Sequence, residues 1–224
     1  MLSSGMTSDI ATARTLAAPE PPTQPRKRGR PPGSNATGTI LKGAAMAFAT
    51  HGYSACRIED ILQSAGVSRT HFYRYFSNKD EVYRKLVERQ LDYAQRRLRS
   101  VSKDFTPEMP PVERMRRIIE MDVEIALESG PFLTVMMCDM AQNEKHRDLW
   151  QAKGSFFCDL LAELIVGAGY SRPDPLLLGG IVSAIEHILV GLSEEDLDPA
   201  AKRQRGVALI AQLLSSLMVM DAAQ

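Results

Sequence analysis

Cysteine, histidine and long apolar runs are all scarce in this chain, and each shortage removes a class of protein. Three cysteines, Cys56, Cys138 and Cys158, stand far apart and none belongs to a CxxC pair. Neither a disulfide framework nor a cysteine zinc site is indicated, and a reducing, cytoplasmic setting fits. The four histidines, His51, His71, His146 and His187, include no HExxH, and the GxGxxG, P-loop and GxSxG signatures are also missing. No catalytic constellation, metal site or cofactor is therefore expected. No apolar segment follows a basic start at the N-terminus, so no signal peptide is expected. The longest apolar stretch, Leu176 to Leu192, carries Glu186 and His187 and falls short of the ~20 residues that span a bilayer. A buried helix is expected there, not a membrane span.

Net charge is also absent: 27 Lys and Arg balance 27 Asp and Glu. The distribution is uneven, however. Residues 1–85 hold 12 basic against 6 acidic residues, and the remainder holds 15 against 21. A basic N-terminal part on an acidic body suits a nucleic-acid-binding module joined to a body with another task.

What is present is helical patterning. Residues 1–35 are rich in Ala, Thr, Ser and Pro and offer little to pack, so this arm is expected to be disordered. From there Ile40, Ala44 and Phe48 recur on one helix face, and His51-Gly52 ends that helix. A short helix follows from Ile58 to Ala65, Gly66 breaks it, and Ser68 caps a third that reaches Tyr75. Ser77 or Asn78 opens a long fourth helix, with Asp80 and Glu81 in its first turn where the dipole favours them. Helices are then expected from Val112 to Glu128, Phe132 to Ala141 and Glu144 to Val166. Asp174-Pro175 and Asp198-Pro199 each pair a cap with a proline at the first helical position and open the last two. No strand alternation appears. The expectation is an all-α fold of about nine helices, with a DNA-binding domain over 36–82 and a larger helical domain over 83–224.

The segment Ile58 to Phe76 reads as helix, glycine turn, helix. Such a pair lays its second helix in the major groove of DNA. Phe72 and Phe76, four residues apart, are expected to face inward, which leaves Arg69, Thr70, His71, Tyr73 and Arg74 outward. Donors, aromatics and positive charge on one short helix suit phosphate and base-edge contacts. At this point the sequence resembles a family. GVSRTHFYRYFSNKDEV, with AMAFATHGYSACRIEDILQSA before it, resembles the TetR-family signature over residues 38–86. The resemblance implies a homodimer, a major-groove recognition helix and an all-α body with a ligand pocket. It also implies that Ser68, Arg69, His71, Tyr73 and Arg74 face double-stranded DNA and that Lys79 meets a phosphate. Two departures stand out. Thr70 and His71 replace the family's small residue and the hydroxyl residue after it, and Arg57 stands near the usual hydroxyl at the second helix, where it can supply a phosphate contact instead.

Just upstream, within 25–33, Arg26-Lys27-Arg28-Gly29-Arg30 is followed by Pro31-Pro32 and closely resembles an AT-hook. Gly29 lets the backbone approach the floor of a narrow A·T minor groove, while Arg28 and Arg30 meet its enhanced negative potential. A generic basic tail is the alternative reading.

The body is rich in Met and aromatics: Met115, Met121, Phe132, Met136, Met137, Met140, Trp150, Phe156 and Phe157. Most can be ordinary core, but methionine also adapts to varied apolar ligands, and the family resemblance implies that some line a pocket for a small hydrophobic effector. The last two helices carry apolar faces that include Ile181, Ile185, Ile188, Leu192, Ile210, Leu214 and Leu217. These faces are internal core or the contact between two copies, and the resemblance favours the dimer. The expected function is a sequence-specific repressor released from a palindromic operator by its effector. An activator of the same fold, an A·T-rich architectural protein and, more remotely, an enzyme are the alternatives.

Overall fold

The computed structural model describes residues 34–221, with side chains for all of these except 34, 35, 140–142 and 217–221. The AT-hook-like run at 25–33 lies outside the described residues, as do the side chains of Met140 and Leu217. Nine α-helices and no strands occur among the described residues. They are α1 (Ser34–Ala55), α2 (Ile58–Ala65), α3 (Arg69–Tyr73), α4 (Lys79–Lys103), α5 (Pro111–Ser129), α6 (Pro131–Gln142), α7 (Arg147–Gly167), α8 (Pro175–Glu194) and α9 (Pro199–Asp221), with one 3-10 turn, Glu144–His146, ahead of α7.

Local chemistry sets the boundaries. The Asn78 side chain accepts from the Glu81 amide at 2.8 Å, and the Glu81 carboxylate accepts from the Ser77 amide at 2.6 Å. Asp174 accepts from Leu176 N–H, and Asp198 accepts from both Ala200 and Ala201, which satisfies amides that a helix start leaves unpaired. Gly66 closes α2 with φ of 63°. Its amide turns back to Gln63 while Val67 N–H reaches the Leu62 carbonyl, a left-handed stop that glycine adopts without strain. Helix α1 is not straight to its end: Gly52, at φ 71° and ψ 165°, breaks it before Tyr53, close to the predicted stop.

Helices α1 to α3 pack as a small head around Ile40, Phe48, Ile61 and Phe72, each fully buried. The two helices before the recognition helix approach unusually closely. A Cβ on Gly43 of α1 would lie 2.4 Å from the Ala65 Cα of α2, so only a glycine allows that backbone contact. The sequence pattern predicts the head as a separate domain over 36–82, yet all described residues fall in one compact unit. One hydrophobic core runs from Ile40 and Phe48 through Tyr83 and Phe132 into the body. Phe48 meets Tyr83 edge-on at 5.5 Å, and Tyr83 meets Phe132 at 6.2 Å.

In the body, α5 packs on α4, α8 and α9, and α8 lies between α7 and α9. Helix α8 departs from its expectation as a buried helix. By length and composition alone it could cross a membrane, with a mean hydropathy of 1.8, but only 28% of that window is buried. Leu178, Ile181, Val182, Leu189 and Leu192 face inward, while Leu176 and Leu177 are 86% and 50% exposed.

Replacing Gly43 by valine should force α1 and α2 apart. Overpacking of this kind costs about 1–3 kcal/mol or more. Circular dichroism should show a lowered melting temperature, and DNA binding should fall with it. A variant of unchanged stability would mean that the two helices are not in contact at this position.

Candidate nucleic-acid interface and interior cavity

Helix α3 is short, five residues, and is held by one side chain on each side of its start. Ser68 caps it by accepting from the His71 amide at 3.2 Å. Phe72 pins it to the head with no exposed surface, and Phe76 follows at 5%. That leaves Ser68, Arg69, Thr70, Tyr73 and Arg74 exposed and His71 half-buried. The Tyr73 ring stands edge-on to Phe72 at 5.4 Å, and the His71 ring lies 5.3 Å from Tyr75, so both aromatics are oriented by neighbours. Arg74 forms no ion pair among the described residues. Arg69 is paired to Glu59 of α2. Both partners are more than half exposed, so this bond is weak and exchangeable for a phosphate. Arg57 at the start of α2 is exposed, 3.8 Å from Asp60. Cys56 beside it is buried, its thiol pushed up to about 11, first by desolvation.

Lys79, expected to meet a phosphate, is held by the protein's own backbone. Its ammonium donates to three carbonyls, Tyr53 at 2.7 Å, Cys56 at 2.8 Å and Ser54 at 3.1 Å. It also lies 4.7 Å from the Tyr53 ring centre. An ammonium has three donors, and all three are engaged in tying α4 to the chain that leaves Gly52.

The same junction couples head to body. The Tyr53 hydroxyl donates to Asp80. That hydrogen bond, more than anything else, holds the Asp80 carboxyl below its ordinary range, against the opposing effect of burial and with help from Lys145. His146 has no exposed surface; its Nδ1 lies 2.7 Å from an Asp139 oxygen and its ring 4.6 Å from Tyr83. Arg84 grips Asp148 through two bonds, at 2.9 and 2.5 Å, which keeps that carboxyl down at about 2.

The body contains a partly open cavity of about 90 Å³, lined by residues of α4 to α9. Of the predicted pocket residues, Met115, Met136, Met137 and Phe157 line it. The others do not. Phe132 belongs to the aromatic junction with Phe48 and Tyr83. Met121 faces a surface groove between α4, α5 and α9, Phe156 lies under Arg99 on the outer side, and Trp150 covers Lys153. The predicted dimer residues are redistributed too. Ile181, Leu192, Ile210 and Leu214 are buried within the protomer, and Ile185, Ile210 and Leu214 line the cavity. Ile188 is half-buried against the same core. Ile181, Leu192, Ile210 and Leu214 thus pack within their own protomer, while Ile185 and Ile188 keep part of their surface exposed.

Three charged cavity residues escape a reading of the sequence: Asp122, Lys153 and Glu186. Lys153 is 3% exposed, ion-paired to Glu186, and has the Trp150 and Phe157 rings within 4.9 and 5.6 Å. Asp122 has no hydrogen bond or ion pair among the described residues. Desolvation pushes its carboxyl from 3.8 up to about 7, with Lys153 opposing and Glu186 adding to the rise. A signal for them exists in the sequence. Asp122 falls on the α5 face of Ile118, Ile119, Ile125 and Ala126, and Glu186 interrupts the apolar run of α8. A charge on an apolar face is costly unless it has a task.

The raised Asp122 carboxyl sets a pH dependence. Between pH 3.8 and about 7 the folded protein keeps a proton that the unfolded chain has released, so stability falls as pH rises through that window. Asp122→Asn removes this penalty and should be more stable than the parent at about pH 8, by about 1–4 kcal/mol. The difference should narrow as pH is lowered toward about 4. Thermal melts across that range check it; a gain independent of pH would mean that Asp122 is not the buried acid described.

Comparison with known proteins follows the same outline. Residues 40–86 match the family model of bacterial regulatory proteins, tetR family. The chain is 33% identical over 86 residues to the transcriptional activator FasR of Mycolicibacterium smegmatis, covering 38% of this chain and 39% of that one. It is 30% identical over 98 residues to the transcriptional regulator RutR of Escherichia coli K12, covering 44% and 46%. The matches thus span less than half the length of these curated relatives. Over most of the chain the likeness is structural. A TetR-like transcriptional regulator from Rhodococcus sp. RHA1 superposes with a TM-score of 0.64 at 17% identity, covering 83% of this chain and 99% of that one. The fatty acid degradation regulator FadR from Bacillus halodurans gives 0.63 at 18%, covering 82% and 97%. At such identities the superpositions show the fold alone. The helix-turn-helix head is thus matched in sequence by the tetR family of bacterial regulatory proteins, and the helical architecture among the described residues is similar to that of solved TetR-like regulators.

Proposed function

We propose that this protein is a dimeric transcriptional repressor in the cytoplasm that reads a palindromic operator through α3 and leaves it when an apolar effector fills the cavity. The observation that carries the reading is the outward set on α3. Thr70, Tyr73 and Arg74 are exposed on a helix whose other side is pinned by Phe72. A rigid short helix with free donors is what major-groove readout requires.

Release follows from which helices touch both sites. Helix α4 lines the cavity with Gln90, Leu91 and Leu98, and its first turns carry Lys79, Asp80 and Tyr83, which hold the head. Helix α6 lines the cavity with Leu133, Met136 and Met137 and holds His146 through Asp139. An effector that prefers one placement of α4 and α6 shifts the population of head positions toward it. A hydrophobic effector suits the walls, and the FadR neighbour is a regulator of fatty acid degradation. The second copy is assigned to α8 and α9, where Leu177 is 50% and Leu209 37% exposed. A two-fold contact there would cover the apolar outer face of α8. The basic run Arg26 to Arg30 is assigned to an adjacent minor groove, as an arm that adds affinity.

The FasR relative is an activator, and the same DNA contacts serve either sign of regulation. A reporter fused to the selected operator separates the two: deletion of the regulator raises expression under repression and lowers it under activation.

Selection of bound genomic fragments with the full-length protein should recover a sharp palindrome. Arg74→Ala should weaken binding to it by about 1–3 kcal/mol, read by fluorescence anisotropy. Diffuse A·T-rich enrichment, insensitive to Arg74, would overturn this reading in favour of an architectural protein.

Deleting residues 1–33 should lower the slope of log affinity against log salt by several units, at about 0.9 for each phosphate that the arm neutralises. An unchanged slope would remove the arm from the DNA interface.

A further inference from the structure

We propose that the cavity takes an organic cation with an apolar body, its protonated amine seated against Asp122. The proposal rests on the effector reading above and specifies the effector's polar end.

Charge within the cavity decides the matter. The lining includes three ionisable groups, one base and two acids. Lys153 is ion-paired to Glu186 and flanked by the Trp150 and Phe157 rings. The neutral polar pair Gln90 and Ser129 is committed as well, one hydrogen-bonded to the other at 2.5 Å. Asp122 is left over. It is half-buried, lines the cavity and has no hydrogen bond or ion pair among the described residues. An ionised carboxylate in such a place lacks compensation, which is why burial drives it toward its neutral form.

A ligand can supply the missing partner. A protonated amine would donate to Asp122, forming a charge-assisted bond in a site where water competes poorly. It would also bring the three cavity groups and the ligand to electrical balance. A carboxylate head faces the opposite situation. It must share the one ammonium with Glu186 and would bring a third acid into a lining that holds a single base, a charge excess that an apolar interior disfavours. A hydroxyl head can donate to Asp122 but brings no charge, so it should fall between the two. The apolar body lies on the methionine, leucine and isoleucine walls, which accommodate chains or rings by repacking.

Decylamine, decanol and decanoate share one chain length and differ in the head group, and they provide the test. Isothermal titration calorimetry on the full-length protein should give decylamine at least about a tenfold tighter binding than decanol, with decanoate weakest. Quenching of Trp150, the only tryptophan, gives an independent readout beside Lys153. In Asp122→Asn the amine should lose its advantage while decanol keeps its affinity. The parent series stands without the variant. Decanoate binding as tightly as decylamine, or an amine preference that persists in Asp122→Asn, would overturn the cation assignment, even if the tighter ligand releases the protein from its operator. No binding by any of the three would overturn the assignment and the apolar-effector reading together.

Discussion

Tyr83 is the residue on which the two halves of the molecule meet. It sits at the second turn of α4 with no exposed surface, and four rings surround it: Phe48, Tyr53, Phe132 and His146. Burial of aromatic area on this scale contributes more than any of the ion pairs around it. Its hydroxyl still finds a carbonyl, that of Met136, at 3.4 Å. Head, lever helix and cavity wall therefore share one side chain. Packing that continuous does not deform gradually; it changes between discrete arrangements, which is the property a switch requires.

The elements are legible in the sequence because their signals are local. Asp174-Pro175 and Asp198-Pro199 fix two helix starts through side-chain caps, and Gly66 and Gly52 fix stops through backbone geometry. Outwardness of Tyr73 and Arg74 follows from Phe72 and Phe76, since residues four apart share a face. The body is less legible because its signals depend on partners. Ile181, Leu192, Ile210 and Leu214 have the same apolar periodicity whether they face their own core or a second copy. Periodicity gives the face and not what covers it. Lys79 illustrates another limit. Its position in the motif suggests DNA, whereas three carbonyls within 3.1 Å use its donors, and carbonyls cannot be read from residue identity.

Polar groups inside the body obey the same accounting as the core. The Lys153–Glu186 pair is desolvated and contributes little net stability. Asp122 subtracts from it. A fold that retains three ionisable groups in a methionine-rich interior has given up stability at the place where a ligand would restore it. That is the usual compromise at a binding site, and it separates these residues from Met115 and Phe157, whose presence in the lining is compatible with simple packing.

The contact between Gly43 and Ala65 has a mechanical corollary. With α1 and α2 in backbone contact, the angle between the helices of the reading head has no slack. The head then behaves as a fixed stylus, and its grip on a half-site cannot be tuned from within. What would remain adjustable, in the dimer proposed above, is the separation of two such heads. DNA grades that separation against its own repeat of about 34 Å per turn. Regulation of the proposed dimer would then be a matter of gauge: the same two rigid heads, set to a spacing that the double helix accepts or rejects.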